Sequence, residues 1–160
     1  MAQAQKLDIE KELADAEAQS LSLGERFTQP RRKVFRKLLE ANGPLKAYDI
    51  IGIVDEDNRP AKPPTIYRAL EFLCRLGLVH KIESDSSYFV CSHHRHCEAE
   101  THVPMVMICQ KCGKVFEDHV IALEDIMSKT AVARGFNIRK MMIEAHGTCA
   151  DCETKYEANP

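Results

Sequence analysis

Residues 62–77 of the chain read Lys-Pro-Pro-Thr-Ile-Tyr-Arg-Ala-Leu-Glu-Phe-Leu-Cys-Arg-Leu-Gly. Proline at the start and glycine just past the end predict a helix with defined boundaries. Apolar residues recur at helical spacing along one face of this segment, at Ile66, Leu70, Leu73 and Leu76. The same spacing turns Tyr67 toward solvent, with Arg68 beside it near the helix N-terminus. The segment is therefore predicted to be a surface helix that presents polar side chains from its first turn.

The segments around this helix predict a small helical domain with a β-hairpin. One apolar-periodic helix begins at Thr28, with proline in its first turn, and is stopped by Asn42-Gly43. Residues 47–54 form another apolar-periodic segment. Two short β patterns, Leu78 to Ile82 and Ser87 to Cys91, follow the 62–77 helix. A weak amphipathic pattern in the first 20 residues indicates a further loose or docked helix. Three short helices and a hairpin describe a winged helix-turn-helix domain.

The pattern changes after a polar, histidine-rich stretch that ends near His102. Strands are predicted at Val106 to Ile108, Lys114 to Glu117 and Asn137 to Ala145, and a helix is predicted at Ile121 to Ala133. We expect the polar tail after Cys152 to fray. The predicted fold is α+β, with a winged-helix domain at 1–92, a hinge loop at 93–102 and a small α/β domain at 103–160.

Charge is distributed unevenly along the chain. Residues 1–25 carry two Lys or Arg and six Asp or Glu, residues 26–82 carry twelve and six, and residues 83–160 carry eight and twelve. The three stretches are therefore −4, +6 and −4, which sum to the formal net charge of −2. A basic middle segment in an acidic chain favours contact with a polyanion, although a solvated basic face gives the same count.

Cysteine usage and the N-terminal residues predict a cytoplasmic protein. The N-terminus is acidic and polar, unlike a signal peptide, and no run approaches the roughly 20 apolar residues of a membrane helix. A reducing cytosol keeps thiols reduced. The seven cysteines therefore favour metal or thiol chemistry over disulfides.

Four of the seven cysteines form two C-x-x-C units, Cys109/Cys112 and Cys149/Cys152. In such a turn both thiolates can face one point, and two turns supply the four sulfurs of a closed tetrahedral zinc site. A redox C-x-x-C usually occurs alone at a βα junction, whereas this chain has two. The spacing therefore predicts structural zinc, which would stabilise a domain of only about 55 residues.

Further candidate ligands surround the predicted hinge. A set of His80, Cys91, His102 and Glu117 would draw ligands from the wing, the linker and the C-terminal hairpin. These nitrogen, sulfur and oxygen donors suit four-coordinate Zn²⁺ better than six-coordinate Fe²⁺. A rival cluster, formed by His93, His94, His96 and Cys97 together with Cys91, could bind metal by itself.

The first turn of the 62–77 helix carries the side chains expected to contact DNA bases. Arg68 can bond guanine bidentately, and Tyr67 can pack on a thymine methyl group. Lys62, Arg31 and Arg32 are expected to contact phosphates, which gives salt-dependent affinity without reading sequence. The alternative interpretation is an ordinary solvated helix face.

These segments resemble the ferric uptake regulator family. The resemblance is carried by Thr28-Gln-Pro-Arg-Arg, Ala47-Tyr-Asp-Ile-Ile, Lys62-Pro-Pro-Thr-Ile-Tyr-Arg-Ala-Leu-Glu-Phe-Leu and the two C-x-x-C units, and it covers roughly residues 7–153. It implies a homodimeric, metal-dependent repressor of double-stranded operator DNA, with an N-terminal winged helix and a C-terminal dimerisation domain. The tyrosine and arginine that family members place on the operator fall on Tyr67 and Arg68.

The resemblance also favours zinc as the sensed metal. In zinc-responsive members the sensing positions fall on His80, Cys91, His102 and Glu117, which makes two zinc ions per protomer, one structural and one regulatory. Iron and peroxide regulators carry a His-x-His segment shortly before the first C-x-x-C, where this chain reads Val103-Pro-Met-Val-Met. The loop between Cys91 and His102 is longer than is typical and adds three histidines.

The sequence therefore predicts a zinc-responsive repressor of zinc-uptake genes, with no membrane or small-molecule substrate as partner. One alternative is a family member that senses another metal or peroxide. Another is a zinc-dependent or thiol-redox enzyme. The sequence has no H-E-x-x-H motif and no cofactor loop. Four protein ligands would also leave no open position on the metal for a substrate.

Overall fold

The computed structural model describes residues 8–41, 43–51, 61–92, 103–118, 120–139 and 141–157. Two compact units divide the chain, Met1–Arg95 and His96–Pro160. The predicted hinge loop at 93–102 lies outside the described residues.

The first unit begins with helix α1, Ile9–Ser22, which is docked on the core of this unit. Asp8 caps its N-terminus by accepting a hydrogen bond from the Lys11 N–H. Leu13 and Ala16 are buried within the main apolar cluster, and the Gln19 side chain donates to the Leu76 carbonyl at 2.9 Å. The weak amphipathic pattern therefore corresponds to a packed helix.

Helix α2, Gln29–Ala41, buries Val34, Phe35, Leu38 and Leu39 on one face, as its periodicity predicts. Helix α3 spans Ala47–Ile50 and buries both of these terminal residues. The prediction that this helix continues to Val54 is wrong at Ile51, whose backbone is extended with a ψ of 126°; residues 52–54 lie outside the described residues. Both α2 and α3 contact the helix Pro63–Arg75.

Helix α4, Pro63–Arg75, confirms the prediction made from residues 62–77. Its buried residues are Ile66, Ala69, Leu70, Phe72 and Leu73. Gly77 ends the segment with a φ of +71°, a left-handed conformation that costs glycine little.

A three-stranded antiparallel sheet completes the first unit. Its strands are β1 (Leu45–Lys46), β2 (Val79–Ile82) and β3 (Ser87–Val90), in the order β1-β3-β2. Strands β2 and β3 form the predicted hairpin. Strand β1 was not predicted, because two residues are too few to establish an alternating pattern. Helices α2 to α4 with this hairpin form a winged helix.

The second unit is built on strands β4 (Met105–Cys109), β5 (Val115–Asp118) and β6 (Ile143–Gly147), in the order β5-β4-β6. Strand β4 pairs with β5 as an antiparallel hairpin and with β6 in parallel. Helix α5, Ile121–Ala133, lies in the crossover that a parallel pair requires. Helix α6, Ala150–Glu157, follows β6.

Two predictions for the second unit are wrong in part. The last strand was expected from Asn137, but residues 137–139 are not in a strand and β6 begins at Ile143. The chain after Cys152 was expected to fray, but it continues helix α6. Acidic Asp151 and Glu153 in the first turn favour this helix through its dipole, a signal that the polar composition of the tail obscured.

Together the two units confirm the α+β fold class. Among the described residues, no helix is both long and apolar enough to cross a membrane.

Candidate functional site

The second unit brings the four C-x-x-C cysteines together. The sulfurs of Cys109, Cys112, Cys149 and Cys152 all lie within 4.8 Å of one another. The Cys112 and Cys149 sulfurs are 3.8 Å apart, too far for a disulfide bond of about 2.05 Å. Cys109 is only 3% exposed, whereas Cys112 is exposed. The cluster therefore has a buried side and a side open to solvent.

Two turns at one end of the sheet position these sulfurs. The first turn joins β4 to β5: the Gly113 N–H donates to the Cys109 carbonyl at 2.8 Å, and Gly113 has a φ of +72°. The second joins β6 to α6: the Cys152 N–H donates to the Cys149 carbonyl at 2.9 Å. A hydrogen bond from the Gln110 N–H to the Gly147 carbonyl, 2.9 Å long, links the two turns. Because β4 and β6 are parallel neighbours, both turns form at the same sheet end.

The protein environment lowers the pKa of the Cys109 thiol and raises the pKa of the Cys152 thiol. Backbone N–H groups of Cys149 and Cys112 donate to the Cys109 sulfur and lower the pKa of this thiol to about 6. Hydrogen bonds to the Cys149 and Cys112 sulfurs, with the nearby Cys109 charge, raise the pKa of Cys152 to about 12. At pH 7 the Cys109 thiol is therefore mostly ionised before any metal binds. Zinc binding must displace the proton of Cys152.

The spacing of the cluster fits a tetrahedral thiolate site. With Zn–S bonds of about 2.3 Å, the sulfurs of a tetrahedral site are separated by about 3.8 Å. The 3.8 Å separation of the Cys112 and Cys149 sulfurs equals this edge. With all four sulfurs within 4.8 Å of one another, the residues fit a closed four-sulfur zinc centre.

A second pair of potential ligands lies on the hairpin of the first unit. His80 on β2 pairs with Phe89 on β3, and the Cys91 N–H continues the ladder to the Leu78 carbonyl at 3.0 Å. This register puts His80, Phe89 and Cys91 on one face of the sheet. A ring nitrogen of His80 and the buried Cys91 sulfur lie within 4.8 Å, close enough to share one ion.

Of the remaining candidate ligands, Glu117 lies in the second unit and the others lie outside the described residues. In the second unit, Glu117 on β5 pairs with Val106 on β4, whose other neighbour is Glu144 on β6. The side chains of these three residues therefore share one face of the sheet. His102 and the rival ligands His93, His94, His96 and Cys97 lie outside the described residues. The four-residue set of His80, Cys91, His102 and Glu117 stays a prediction.

Three of the predicted DNA contacts are exposed at the N-terminal end of α4: Lys62 is the N-cap residue, and Tyr67 and Arg68 lie in the second turn, whereas the sequence predicted the first turn. Tyr67 is 49% exposed, and Lys62 and Arg68 are also exposed. The buried residues of α4 lie on its opposite face, so the backbone of this end of the helix is held by the core while these side chains face outward. This arrangement suits a helix that enters a DNA groove.

The other two predicted phosphate contacts, Arg31 and Arg32, have partners within the protein. The Arg32 guanidinium bonds Glu17 on α1 at 2.9 Å and lies 3.5 Å from Glu10. Arg31 lies over the ring of Phe72, with 3.4 Å between its Cζ and the ring centroid. These contacts were missed from the sequence because no local pattern joins residues so far apart in the chain. Their role in DNA binding stays a prediction.

A winged helix and a cysteine-centred α/β unit in one chain are the architecture of metal-dependent DNA-binding regulators. The chain belongs to the ferric uptake regulator family, which it matches over residues 22–146.

The chain is similar to two known members of this family and to one solved structure. The chain is 41% identical to the zinc uptake regulation protein of Escherichia coli strain K12, over 88% of this chain and 80% of that protein. It is 30% identical to the ferric uptake regulation protein of Neisseria gonorrhoeae, over 86% and 93%. A solved zinc uptake regulator in complex with zinc and DNA superposes with a TM-score of 0.85, at 40% identity over 96% of this chain and 99% of that one.

Proposed function

We propose that this protein is a zinc-responsive transcriptional repressor, which binds palindromic operator DNA as a zinc-loaded homodimer and represses zinc-uptake genes in the cytoplasm. The observation that carries the proposal is the likeness, at 40% identity and a TM-score of 0.85, to a zinc uptake regulator in complex with zinc and DNA. The 41% identity to a zinc uptake regulation protein supports the same metal.

Two zinc ions per protomer have different roles in this proposal. The structural ion binds Cys109, Cys112, Cys149 and Cys152, whose sulfur spacing supports a closed tetrahedral site. It joins the β4–β5 turn to the start of α6 and so adds folding free energy to the small second unit. A closed set of four thiolates leaves no position for substrate or water, which favours a scaffold over a catalyst.

The regulatory ion binds His80 and Cys91 from the hairpin, together with His102 and Glu117. The proximity of His80 and Cys91 on one sheet face supports the first half of this set. Mixed nitrogen, sulfur and oxygen donors suit Zn²⁺. Zinc acts as a switch only if it binds the DNA-competent conformation more tightly than the other conformations of the protein.

DNA recognition is assigned to the N-terminal end of α4. Exposed Tyr67 and Arg68 contact base edges in the major groove, and Lys62 contacts a phosphate. Two such helices in a dimer match the two halves of a palindrome.

The apolar surface of the second unit supports the homodimer. Helix α5 is apolar around most of its circumference, yet none of its residues is buried. Ile121 is 68% exposed, Ile126 58% and Val132 77%. Exposed apolar side chains grouped on one helix mark a surface that binds a partner, and a monomer that left them in water would lose solubility. A second protomer is the occupant that a two-fold operator requires.

One face of the β5-β4-β6 sheet also exposes apolar side chains. Strand register puts Met107, Phe116 and Ala145 on one face. Met107 and Phe116 are each 38% exposed. We assign this face and α5 to the dimer interface.

The metal selectivity is tested by titrating metal-stripped protein with Zn²⁺, Fe²⁺, Mn²⁺ or Ni²⁺ while measuring binding to a duplex selected from random DNA. We expect Zn²⁺ to activate binding at the lowest free concentration. Metal analysis after mild chelation should then find one zinc per chain retained and one removed. Activation by Fe²⁺ at lower free concentration than Zn²⁺ would support the alternative, a family member that senses another metal.

The enzyme alternative is tested at the recognition helix. Substituting Tyr67 and Arg68 with alanine should abolish selective DNA binding without changing zinc content. Two results together would contradict the repressor: a wild-type protein that shows no selective DNA binding, and an enzyme activity that both substitutions leave unchanged.

A further inference from the structure

We infer that Arg31 is a positioning residue, which holds the recognition helix α4 against α2 instead of contacting a DNA phosphate. The inference rests on the proposed DNA-binding function and concerns how the reading helix is held.

The face of the Phe72 ring is covered by the Arg31 guanidinium. The Arg31 Cζ lies 3.4 Å from the ring centroid, which is the stacking distance of a cation on an aromatic face. Phe72 is only 2% exposed. If Arg31 turned away to reach a phosphate, it would uncover this apolar ring to water. The stacked position is therefore favoured over an extended one.

An anion and a second arginine complete the cluster. Glu25 accepts a hydrogen bond from Arg75 of α4 at 2.5 Å, and its other carboxylate oxygen lies 4.0 Å from Arg31. Arg75 also lies over the Phe72 ring, with its Cζ 5.4 Å from the centroid. The Arg31 guanidinium donates to the Arg26 carbonyl at 2.5 Å. Its charge and its hydrogen-bonding capacity are thus partly used inside the protein.

Phe27 joins the cluster to the core. Its ring centroid lies 6.3 Å from that of Phe72 and 6.4 Å from that of Phe35 on α2, the latter in an edge-to-face arrangement. The segment before α2, the N-terminus of α2 and the C-terminal half of α4 are therefore joined through rings and arginines. We call the set Glu25, Phe27, Arg31, Phe72 and Arg75 the arginine clamp.

Through its position on α4, the arginine clamp affects where Tyr67 lies relative to the DNA bases. Tyr67 lies five residues before Phe72, about 7.5 Å along the helix axis, so a tilt of about 10° about Phe72 would move it by about 1.3 Å. Direct base contacts tolerate donor–acceptor distances of only about 2.7–3.2 Å. A small tilt would therefore remove base contacts, while phosphate attraction, which is less directional, would persist.

The chemistry of arginine explains why lysine should fail at this position. A planar guanidinium stacks on a ring and donates hydrogen bonds in its own plane, whereas a lysine ammonium is a compact, strongly hydrated charge. At a phosphate contact, by contrast, lysine serves as a point charge. The Arg31→Lys variant therefore separates the two roles without changing the net charge.

The experiment measures affinity for two duplexes, one selected from random DNA by the zinc-loaded wild-type protein and one a scramble of equal length. Arg31→Lys, Arg31→Gln and Phe72→Leu are compared with the wild type as zinc-loaded, full-length proteins. Lys37→Gln, an exposed charge loss on the same helix, is the matched control. Each affinity is measured over a range of salt concentrations, at a temperature where thermal melting shows the variant folded.

We expect Arg31→Lys and Phe72→Leu to weaken binding to the selected duplex about tenfold, the loss typical of one good base contact. Their affinity for the scrambled duplex and their salt dependence should match the wild type. Arg31→Gln should lose selectivity in the same way, and Lys37→Gln should keep it.

Two outcomes overturn the inference. In the first, Arg31→Lys keeps its affinity, while Arg31→Gln weakens both duplexes equally and lowers the salt slope by about 0.9, as loss of one phosphate contact does. In the second, the variants melt at lower temperature but keep wild-type selectivity, which indicates a purely structural role. If Arg31→Gln does not fold, the two variants that keep the wild-type net charge, Arg31→Lys and Phe72→Leu, decide between these outcomes. A wild-type protein that selects no duplex would instead contradict the proposed function itself.

Discussion

Cys109 combines burial with a thiolate that its neighbours stabilise. It lies at the end of β4, where backbone N–H groups of Cys149 and Cys112 donate to its sulfur. The two turns that hold these N–H groups also bring the other three sulfurs within 4.8 Å. The same backbone therefore prepares both the charge and the geometry of the proposed structural zinc site.

The first prediction concerns the pH dependence of zinc binding at this cluster. Above pH 6 Cys109 is already ionised, so it releases no proton when zinc binds; below about pH 6 its proton must be displaced. The slope of log apparent affinity against pH should therefore increase by about one below pH 6. Competition with a chelator of known proton affinity, from pH 5 to pH 8, measures this slope. A plot without a break near pH 6 would contradict the assignment of the thiolate.

The second prediction separates the two proposed zinc sites. Cys112→Ser should lose the retained zinc and unfold the second unit, because three thiolates no longer close the site. Cys91→Ser should leave a folded dimer that keeps one zinc but gains no DNA affinity when zinc is added. Zinc content, circular dichroism and DNA binding distinguish these outcomes, with Cys74→Ser on α4 as the control. Equal loss of fold in both variants would show that the roles are not divided.

At the scale of single elements, helix α1 shows how a mostly polar helix docks on the core of the first unit. Helix α1 is mostly polar, yet Leu13 and Ala16 are buried in the core of the first unit. Its acidic residues also pair with basic residues of α2: Glu10 bonds Arg36 at 2.7 Å and Glu17 bonds Arg32 at 2.9 Å. Such exposed pairs add at most about 1 kcal/mol each, so apolar contacts dominate the docking of α1.

The third prediction tests this docking. Leu13 is 0% exposed, so Leu13→Ala should destabilise the first unit by about 2–5 kcal/mol through a buried cavity. Leu21, on the same helix, is 74% exposed, and Leu21→Ala should change stability by less than about 0.5 kcal/mol. Urea unfolding of the zinc-loaded protein measures both values. Equal effects of the two substitutions would show that α1 is not packed on the core.

At the scale of the whole molecule, the basic excess and the exposed apolar helix α5 lie in different units of the chain. The basic excess lies in residues 26–82, and the acidic α1 neutralises part of it. The exposed apolar side chains of α5 and of one sheet face lie in the second unit. This division supports a chain that meets DNA through one unit and a second copy of itself through the other.

The fourth prediction tests the proposed dimer. Ile126→Glu and Val132→Glu should convert the zinc-loaded protein to monomers, because a buried unpaired carboxylate would cost several kcal/mol at an interface. Leu21→Glu, which places the same charge at an exposed leucine of the first unit, should leave the dimer intact. Sedimentation equilibrium over a range of concentrations measures the association. A dimer that tolerates both α5 substitutions would exclude this helix from the interface.

Much of the fold was predictable because its signals are local. The boundaries of α4 and α5 follow from apolar periodicity with proline or glycine at their ends, and the hairpin of β2 and β3 follows from two short β patterns. The strand β1 and the helix α6 were missed, since two residues define no period and a polar composition hid a helix start.

By itself the sequence determined the two C-x-x-C units, the reading helix and the family, since each depends on residues close together in the chain. Only the tertiary structure decided that the four cysteines converge at one sheet end, through the parallel pairing of β4 and β6. It also decided the partners of the arginines: Arg75 meets Glu25 across 50 residues, and Arg36 meets Glu10 across 26. Periodicity reports which face of an element is buried, but which side chains meet across elements depends on how those elements pack.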